Sequence, residues 1–305
     1  MDVDLQAQIT ELARQGAWDE AQTLAGKLIL ALESRPAARD RDTLLAEAYQ
    51  TRSYVLAMTG NLEPAADDGR RALQILYGWD EPDDFMIASL LYSHVLHLAE
   101  LGEMAEIRSL DRRPMAVFRE ALGALPGIAD PTRAAAAGQV AGYAAGMHAA
   151  GEQVLACDCD REALAVFADC AEILDDGLWE TYVTTALNLA ASTPHAAEAK
   201  TVAADAVERV VDLLNAGRLD FLLSLVHALY LSGRAQRRLG EEDSLSAIVD
   251  AKYLLDTFRP TGPESEALSR AIGEVLAADQ RSRGWFISPE LARLSGEWLR
   301  AAKAR

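Results

Sequence analysis

The 305-residue chain has few cysteines, a deficit of basic residues and no long apolar run, and each shortage closes off a class of function. Three thiols, Cys157, Cys159 and Cys170, are an odd number and too few for a disulfide framework, so a reducing cytoplasm is the expected compartment. Lys and Arg total 29 against 47 Asp and Glu, a formal charge of −18 that repels phosphate backbones and argues against nucleic acid as a partner. The short basic clusters, Arg70-Arg71, Arg112-Arg113 and Arg237-Arg238, read as solvated helix faces. No apolar stretch approaches the roughly 20 residues that span a bilayer, so no membrane partner is expected. The opening MDVDLQAQITEL is acidic and amphipathic, unlike a signal peptide. The nucleophile-elbow signature G-x-S-x-G, the phosphate loop G-x-x-x-x-G-K-S/T and a dinucleotide G-x-G-x-x-G after a strand are missing, so no cofactor is expected.

What is abundant is alanine, leucine and helical periodicity. Half of the residues are hydrophobic, which gives ample material for a core and argues against disorder. Few β-branched runs interrupt the chain, so the expectation is an all-α fold. Leu5, Ile9, Leu12 and Ala13 share one helix face before Gly16-Ala17-Trp18, and a second helix follows with Ala21, Leu24, Leu28 and Leu32 inward. The stretch from Ala46 to Tyr77 repeats this design, with a turn at Gly60-Asn61 and Pro64 in the first turn of the second helix. Further along, Pro114 breaks one segment into a short helix and then Met115 to Leu125. Asp130-Pro131 reads as the N-cap and first position of an Ala/Gly-rich helix running to His148. Turns fall at Gly16, Gly60, Gly102, Gly151, about Thr193, Gly240 and Gly284, spaced by 42 to 49 residues. A near-constant period of that size predicts a stacked array of about seven antiparallel helix pairs in one domain over residues 1–305.

Several motifs in that array resemble the tetratricopeptide (TPR) repeat. In the second pair Tyr49 takes the tryptophan slot, Ser53 the small-residue slot and Leu56 the tyrosine slot, while Ala65 and Ala72-Leu73 fill the second helix. Gly16-Ala17-Trp18-Asp19-Glu20-Ala21 is similar to the family's turn, and Leu229, Gly233 and Pro260 match in the sixth pair. The period is nearer 44 than 34 residues, so the closer likeness is to the long-helix variants of kinesin light chains and of the sensor regions of bacterial regulators. The resemblance implies a right-handed superhelical α-solenoid whose first helices line a concave groove.

Projecting the face opposite the packing residues onto each first helix gives the candidate groove: Gln6 and Thr10; Gln50 and Tyr54; Ser89, Tyr92 and Leu96; Ala141, Ala145 and His148. Glu180, Thr184 and Asn188 form a polar stripe in the fifth pair, and His227, Tyr230, Arg234 and Arg237 form one in the sixth. Tyrosines offer flat contact area with a polar tip. Arg234 and Arg237 suit a carboxylate or phosphate, so a small acidic ligand joins peptides and partner proteins among the expected partners. The Lys/Asn carboxylate clamp of chaperone-binding family members is not matched. The leading expectation is a non-catalytic binding scaffold. The alternative is a small-molecule sensor or enzyme with an enclosed pocket built from Tyr92, His94, His148, Glu180 and the small residues of the fourth pair.

Three further groups have a plain structural reading. His94, His97 and Glu100 recur at three-residue steps among core-like Val95, Leu96 and Leu98, and read as packed or groove-facing side chains rather than a metal site. Cys157-Asp158-Cys159-Asp160 reads as an exposed loop insertion, with the next helix covering Arg161 to Leu174 and Cys170 in the core. Leu291, Leu294, Trp298 and Leu299 make an apolar stripe on the last helix that either caps the array or offers a homodimer surface.

Overall fold

The computed structural model describes residues 2–124, 130–278 and 287–303, and every regular element among them is a helix. The chain forms two compact units, Met1–Leu174 and Asp175–Arg305. In the first unit α1 (Asp2–Arg14) pairs with α2 (Trp18–Glu33), α3 (Arg39–Met58) with α4 (Leu62–Tyr77), and α8 (Pro131–Ala149) with α9 (Gln153–Asp169). The partner of α5 (Asp84–Leu101) is broken into α6 (Met104–Ser109) and α7 (Arg113–Gly123), with Pro114 in the first turn of α7, where its missing N–H is harmless. A single turn of 3₁₀ helix, Ala171–Ile173, closes the unit.

The second unit holds α10 (Asp176–Ser192) with α11 (Ala196–Asn215), then α12 (Leu222–Arg238) with α13 (Ser246–Phe258), and α14 (Pro263–Ala278) followed by α15 (Pro289–Lys303). A 3₁₀ turn, Leu219–Phe221, leads into α12. Within each unit consecutive first helices lie side by side, α1, α3, α5, α8 in one and α10, α12, α14 in the other. The expected seventh turn, Gly284-Trp285, and Leu125 lie outside the described residues.

Why the hairpins close where they do is a matter of backbone chemistry. At Gly16, Gly60, Gly102, Gly151 and Gly240 φ lies between 73° and 80°, a left-handed conformation that side chains resist. Each of these residues donates to the carbonyl three back, and the next residue donates to the carbonyl five back, as in Asn61 N to Leu56 O at 2.8 Å and Glu103 N to Leu98 O at 2.9 Å. This pairing satisfies the last carbonyls of the first helix while reversing the chain. The turn at Thr193 works differently: Thr193 and Pro194 end α10 without a glycine, because the residue before proline is driven out of helical conformation.

The core is built from small and medium side chains, and close approach of helices depends on the smallest of them. Gly146 of α8 is covered by Val95 of α5, so that a Cβ there would overlap Val95 Cγ1. Ser53 of α3 donates to Ala65 O of α4 at 2.7 Å, as its small-residue slot requires. With that proton committed, His97 Nδ1, 3.3 Å from Ser53 Oγ, is the donor between them. Arg52 grips the buried Asp68 carboxylate with two bonds of 2.6 and 2.8 Å, which ties α3 to α4.

Two sequence expectations change. Cys157 to Asp160 is no loop: it lies in the second turn of α9, with both thiols and Asp160 buried. The cysteines there act as small hydrophobes in line with Ala156, Ala163 and Phe167. That helix stops at Asp169 rather than Leu174. Leu291, Leu294 and Trp298 of α15 are buried within their own unit, where Trp298 Nε1 donates to Asn215 Oδ1 of α11 at 3.1 Å. The stripe therefore caps the second unit, and the homodimer surface expected on it is already covered.

Candidate functional site

The first-helix face of the first unit is bridged at several points by its own side chains. It keeps an open depression of about 430 Å³ between α1 and α3, lined by Gln6, Thr10, Glu11, Arg14 and Glu47 among others. Gln6 donates to Thr51 Oγ1 at 2.9 Å, linking α1 to α3, and Gln50 donates to Ser89 O at 3.1 Å, linking α3 to α5. Gln50 and Ser89, both expected to meet a ligand, thus bind each other. Tyr92 is half-buried, and it and Leu96 cover Gly142 of α8 at distances of 3.2 and 3.4 Å from where a Cβ would stand. Burial raises the Tyr92 phenol pKa, helped by nearby Tyr54. Tyr54 remains exposed, edge-on to Trp18 with ring centroids 6.0 Å apart.

The histidines expected around an enclosed pocket are elsewhere. His94 is 1% exposed, wedged against Gly69 of α4 with Glu106 Oε1 3.6 Å from Nε2. Burial drives its pKa down to about 4, so it is a neutral core side chain at physiological pH. His148 does not face the groove. Its Nε2 meets the buried Asp160 carboxylate of α9 at 2.7 Å and its Nδ1 meets Gln153 Oε1 at 3.1 Å. Burial opposes its protonation, but the bond and charge of Asp160 outweigh this and hold the pKa above the usual imidazole value. Asp160 is raised by burial, with His148 offsetting part of the rise. Nearby Cys159, pushed up to about 12 by burial, keeps its proton and is no nucleophile at neutral pH. Gly142 and Gly146 of α8 are covered by Tyr92, Leu96 and Val95, so these two small residues serve close packing against α5.

In the second unit the same face opens. A cavity of about 360 Å³ lies between α10, the 3₁₀ turn, α12 and the start of α14. Its lining includes four residues anticipated from helical spacing: Glu180, Thr184 and Asn188 from α10, and His227 from α12. Leu187, Asp220, Phe221, Ser224 and Glu264 complete it and were not anticipated. Asp220 and Phe221 sit on the 3₁₀ turn, where the 3.6-residue period is broken, and Glu264 opens a helix whose groove face had not been projected.

Electrostatically the cavity is acidic. Arg218, beside the 3₁₀ turn, is held by Asp220 through bonds of 3.1 and 2.8 Å and by Asp176 at 2.7 Å. Its guanidinium lies 4.9 Å from the Phe221 ring centroid. His227 Nδ1 is 3.9 Å from Glu264 Oε1. Burial lowers the His227 pKa, Glu264 opposing and Arg234 assisting. Further along α12, Arg234 stacks on Tyr230 at 5.6 Å, and Arg237 is exposed beyond it. Neither arginine lines the cavity.

A larger depression of about 740 Å³ in the first unit, among α2, α3 and α4, was not anticipated. Within its charged lining Arg52 pairs with Asp68, and Asp67 accepts at 2.7 Å from Arg70, which lies outside it.

No protein-family profile matches the sequence, and no curated protein sequence matches it. Among solved structures, BtubC (BKLC) from P. vanneervenii is similar at 14% identity, with 85% of this chain and 94% of that chain covered and a TM-score of 0.46. A Rap protein complexed with Competence and Sporulation Factor is 13% identical, over 99% of this chain and 76% of that one, at a TM-score of 0.45. The apo form of RapI is 11% identical and matches 99% of this chain and 98% of its own, with a TM-score of 0.51. That last agreement, over both whole lengths, joins the helix-pair register and the turn chemistry in showing a TPR-like, all-α helical-repeat fold.

Proposed function

We propose that the chain is a non-catalytic binding scaffold that holds a peptide or a segment of a partner protein on its first-helix faces. The cavity of the second unit carries this reading, because there two helices of one unit bring four anticipated polar residues, Glu180, Thr184, Asn188 and His227, around an unfilled space. Tyr230, Arg234 and Arg237 extend from it along α12 as a second contact, suited to a carboxylate or phosphate on the same ligand. Ser224, His227 and Glu264 share the cavity, yet no hydrogen bond joins Ser224 to His227 among the described residues. His227 and Glu264 stand 3.9 Å apart, beyond hydrogen-bonding distance. That supports binding over nucleophilic catalysis. Three buried thiols that form no disulfide fit a reducing cytoplasm, and any regulatory output would pass through the captured partner.

The test is selection of a random peptide display library on the full chain. Enriched peptides should lose at least tenfold in affinity for Thr184→Phe, which fills the cavity from an exposed position, and for Arg234→Glu with Arg237→Glu. A library that yields no specific peptide, or peptides indifferent to both variants, would overturn the scaffold reading. The cavity's size, at the lower end of the range for small-ligand sites, favours a small-molecule sensor as the second reading.

A further inference from the structure

The sign of the second-unit cavity defines what it can accept. Three helical elements each bring a carboxylate to its wall: Glu180 from α10, Asp220 from the 3₁₀ turn and Glu264 from α14. One arginine, Arg218, answers them: it bonds Asp220 and Asp176, and its charge also reaches Glu180, so the carboxylates still outnumber the cations around the cavity. The side chains of Thr184, Asn188 and Ser224 make no hydrogen bond to another described residue, so their oxygens are open acceptors facing the same space. Phe221 and Leu187 supply an apolar wall against which a methylene chain could lie. A carboxylate or phosphate entering here would meet the like charges of Glu180 and Glu264, only the first of them partly offset by Arg218. An alkyl chain ending in a cation would meet complementary charge, open acceptors and an apolar wall together.

Resting on the scaffold reading for its place in the molecule, we propose that the cavity of the second unit binds an alkyl-linked primary ammonium or guanidinium group. Its source is either a lysine or arginine side chain of a bound peptide or a free amine. The cation sits between the carboxylates of Glu180 and Glu264, its hydrogens directed at Asn188 and Ser224, and its stem lies on Phe221. Opposite ends of one ligand are then sorted by charge along α12: the basic group goes to the cavity and the acidic group to Arg234 and Arg237. His227, held largely neutral, lends an acceptor without adding a competing positive charge.

Calorimetric titration of the full chain with four probes separates the outcomes: N-acetyl-lysine methylamide, agmatine, neutral N-butylacetamide and glutarate. The expected result is binding of one or both cations, none of the neutral or anionic probe at the same concentration, and at least tenfold weakening by Glu180→Gln with Glu264→Gln. Raising salt from 50 to 500 mM should weaken binding as well, as exposed charge pairs require. Both glutamates are exposed, and an unchanged melting temperature would show that the double variant is folded. Agmatine binding without the lysine derivative, and without N-acetyl-arginine methylamide as a further control, identifies a free amine, and binding of either amino-acid derivative identifies a peptide side chain. Equal binding of glutarate, absence of binding by both cations, or cation binding untouched by the double variant would overturn the inference. Display selection keeps the two proposals apart. Enriched peptides that lack basic residues but depend on Thr184 leave the scaffold standing without the cation. Amine binding with no enriched peptide leaves the cation standing without the scaffold.

Discussion

The first-helix faces of the two units follow one design and reach opposite ends. In the first unit much of the row is spanned by side chains that satisfy each other, Gln6 with Thr51 and Gln50 with Ser89. Gly142 and Gly146 of α8 are covered by Tyr92, Leu96 and Val95, and an open space is left at the start of the row, between α1 and α3. In the second, Glu180, Thr184, Asn188 and Ser224 surround a space that no neighbour fills. A repeat array is thus not uniformly a groove. Whether a face is scaffold or surface depends on which side chains reach across to the next helix, and substitutions can separate the two conditions.

The largest effect is expected where the first unit buries charge. His148→Ala strips Asp160, 1% exposed, of its partner and leaves a carboxylate in the core, which should cost roughly 4 kcal/mol in urea unfolding. Adding Asp160→Ala should recover part of that loss; a double variant no more stable than the single would contradict the account. The pH dependence has a definite sign. Because the folded pKa of His148 is raised above 6.5, its contribution is complete below that value and is lost as pH rises through the folded pKa. Asp160, also raised, acts in the same direction from just above 3.8. Stability attributable to the pair should therefore fall on going from pH 6 to pH 9, by no more than about 1.4 kcal/mol per pH unit for one proton. The slope should vanish in the double variant.

Next comes the close contact that fills the first unit's face. Gly146→Ala would place a methyl group onto Val95 Cγ1, and should destabilise by about 2 kcal/mol through displacement of α8 from α5. A shortened companion, Val95→Ala in the same chain, should restore room and recover most of the loss. Thermal melts of the three proteins would decide it: a Gly146→Ala chain as stable as wild type would mean that the contact is not tight.

How much of this was legible depends on the range of the interaction. Local backbone demands were readable: the glycine turns need a left-handed residue, and Asp130-Pro131 starts α8 with Asp130 accepting from Thr132 and Arg133 N–H groups. The helical stripe that put Glu180, Thr184, Asn188 and His227 on one side also came from local spacing. What did not show was partnership between elements. Asp158 and Asp160 made the start of α9 look like a solvated loop, since nothing in the spacing reveals that His148, on the preceding helix, neutralises Asp160. Gln50 and Ser89 looked available for the same reason: they are 39 residues apart and bond each other. Asp220 and Phe221 were missed because a 3₁₀ turn carries no amphipathic period.

The smallest expected effect tests the comparison most directly, because it pairs one polar residue from each face. Gln50→Ala removes a hydrogen bond that crosses between α3 and α5 and leaves Ser89 O less satisfied, so a loss of about 1 kcal/mol is expected. Asn188→Ala removes an amide that bonds no other described residue, and its stability change should stay within about 0.5 kcal/mol. Denaturant unfolding of both variants, read by circular dichroism, gives the difference. If Asn188→Ala proved as costly as Gln50→Ala, the amide of Asn188 would have a structural partner and the second-unit face would be closed like the first. If Gln50→Ala were neutral while Asn188→Ala were neutral too, the bridging bonds of the first unit would contribute nothing, and its face would be closed by the packing around Gly142 and Gly146 alone.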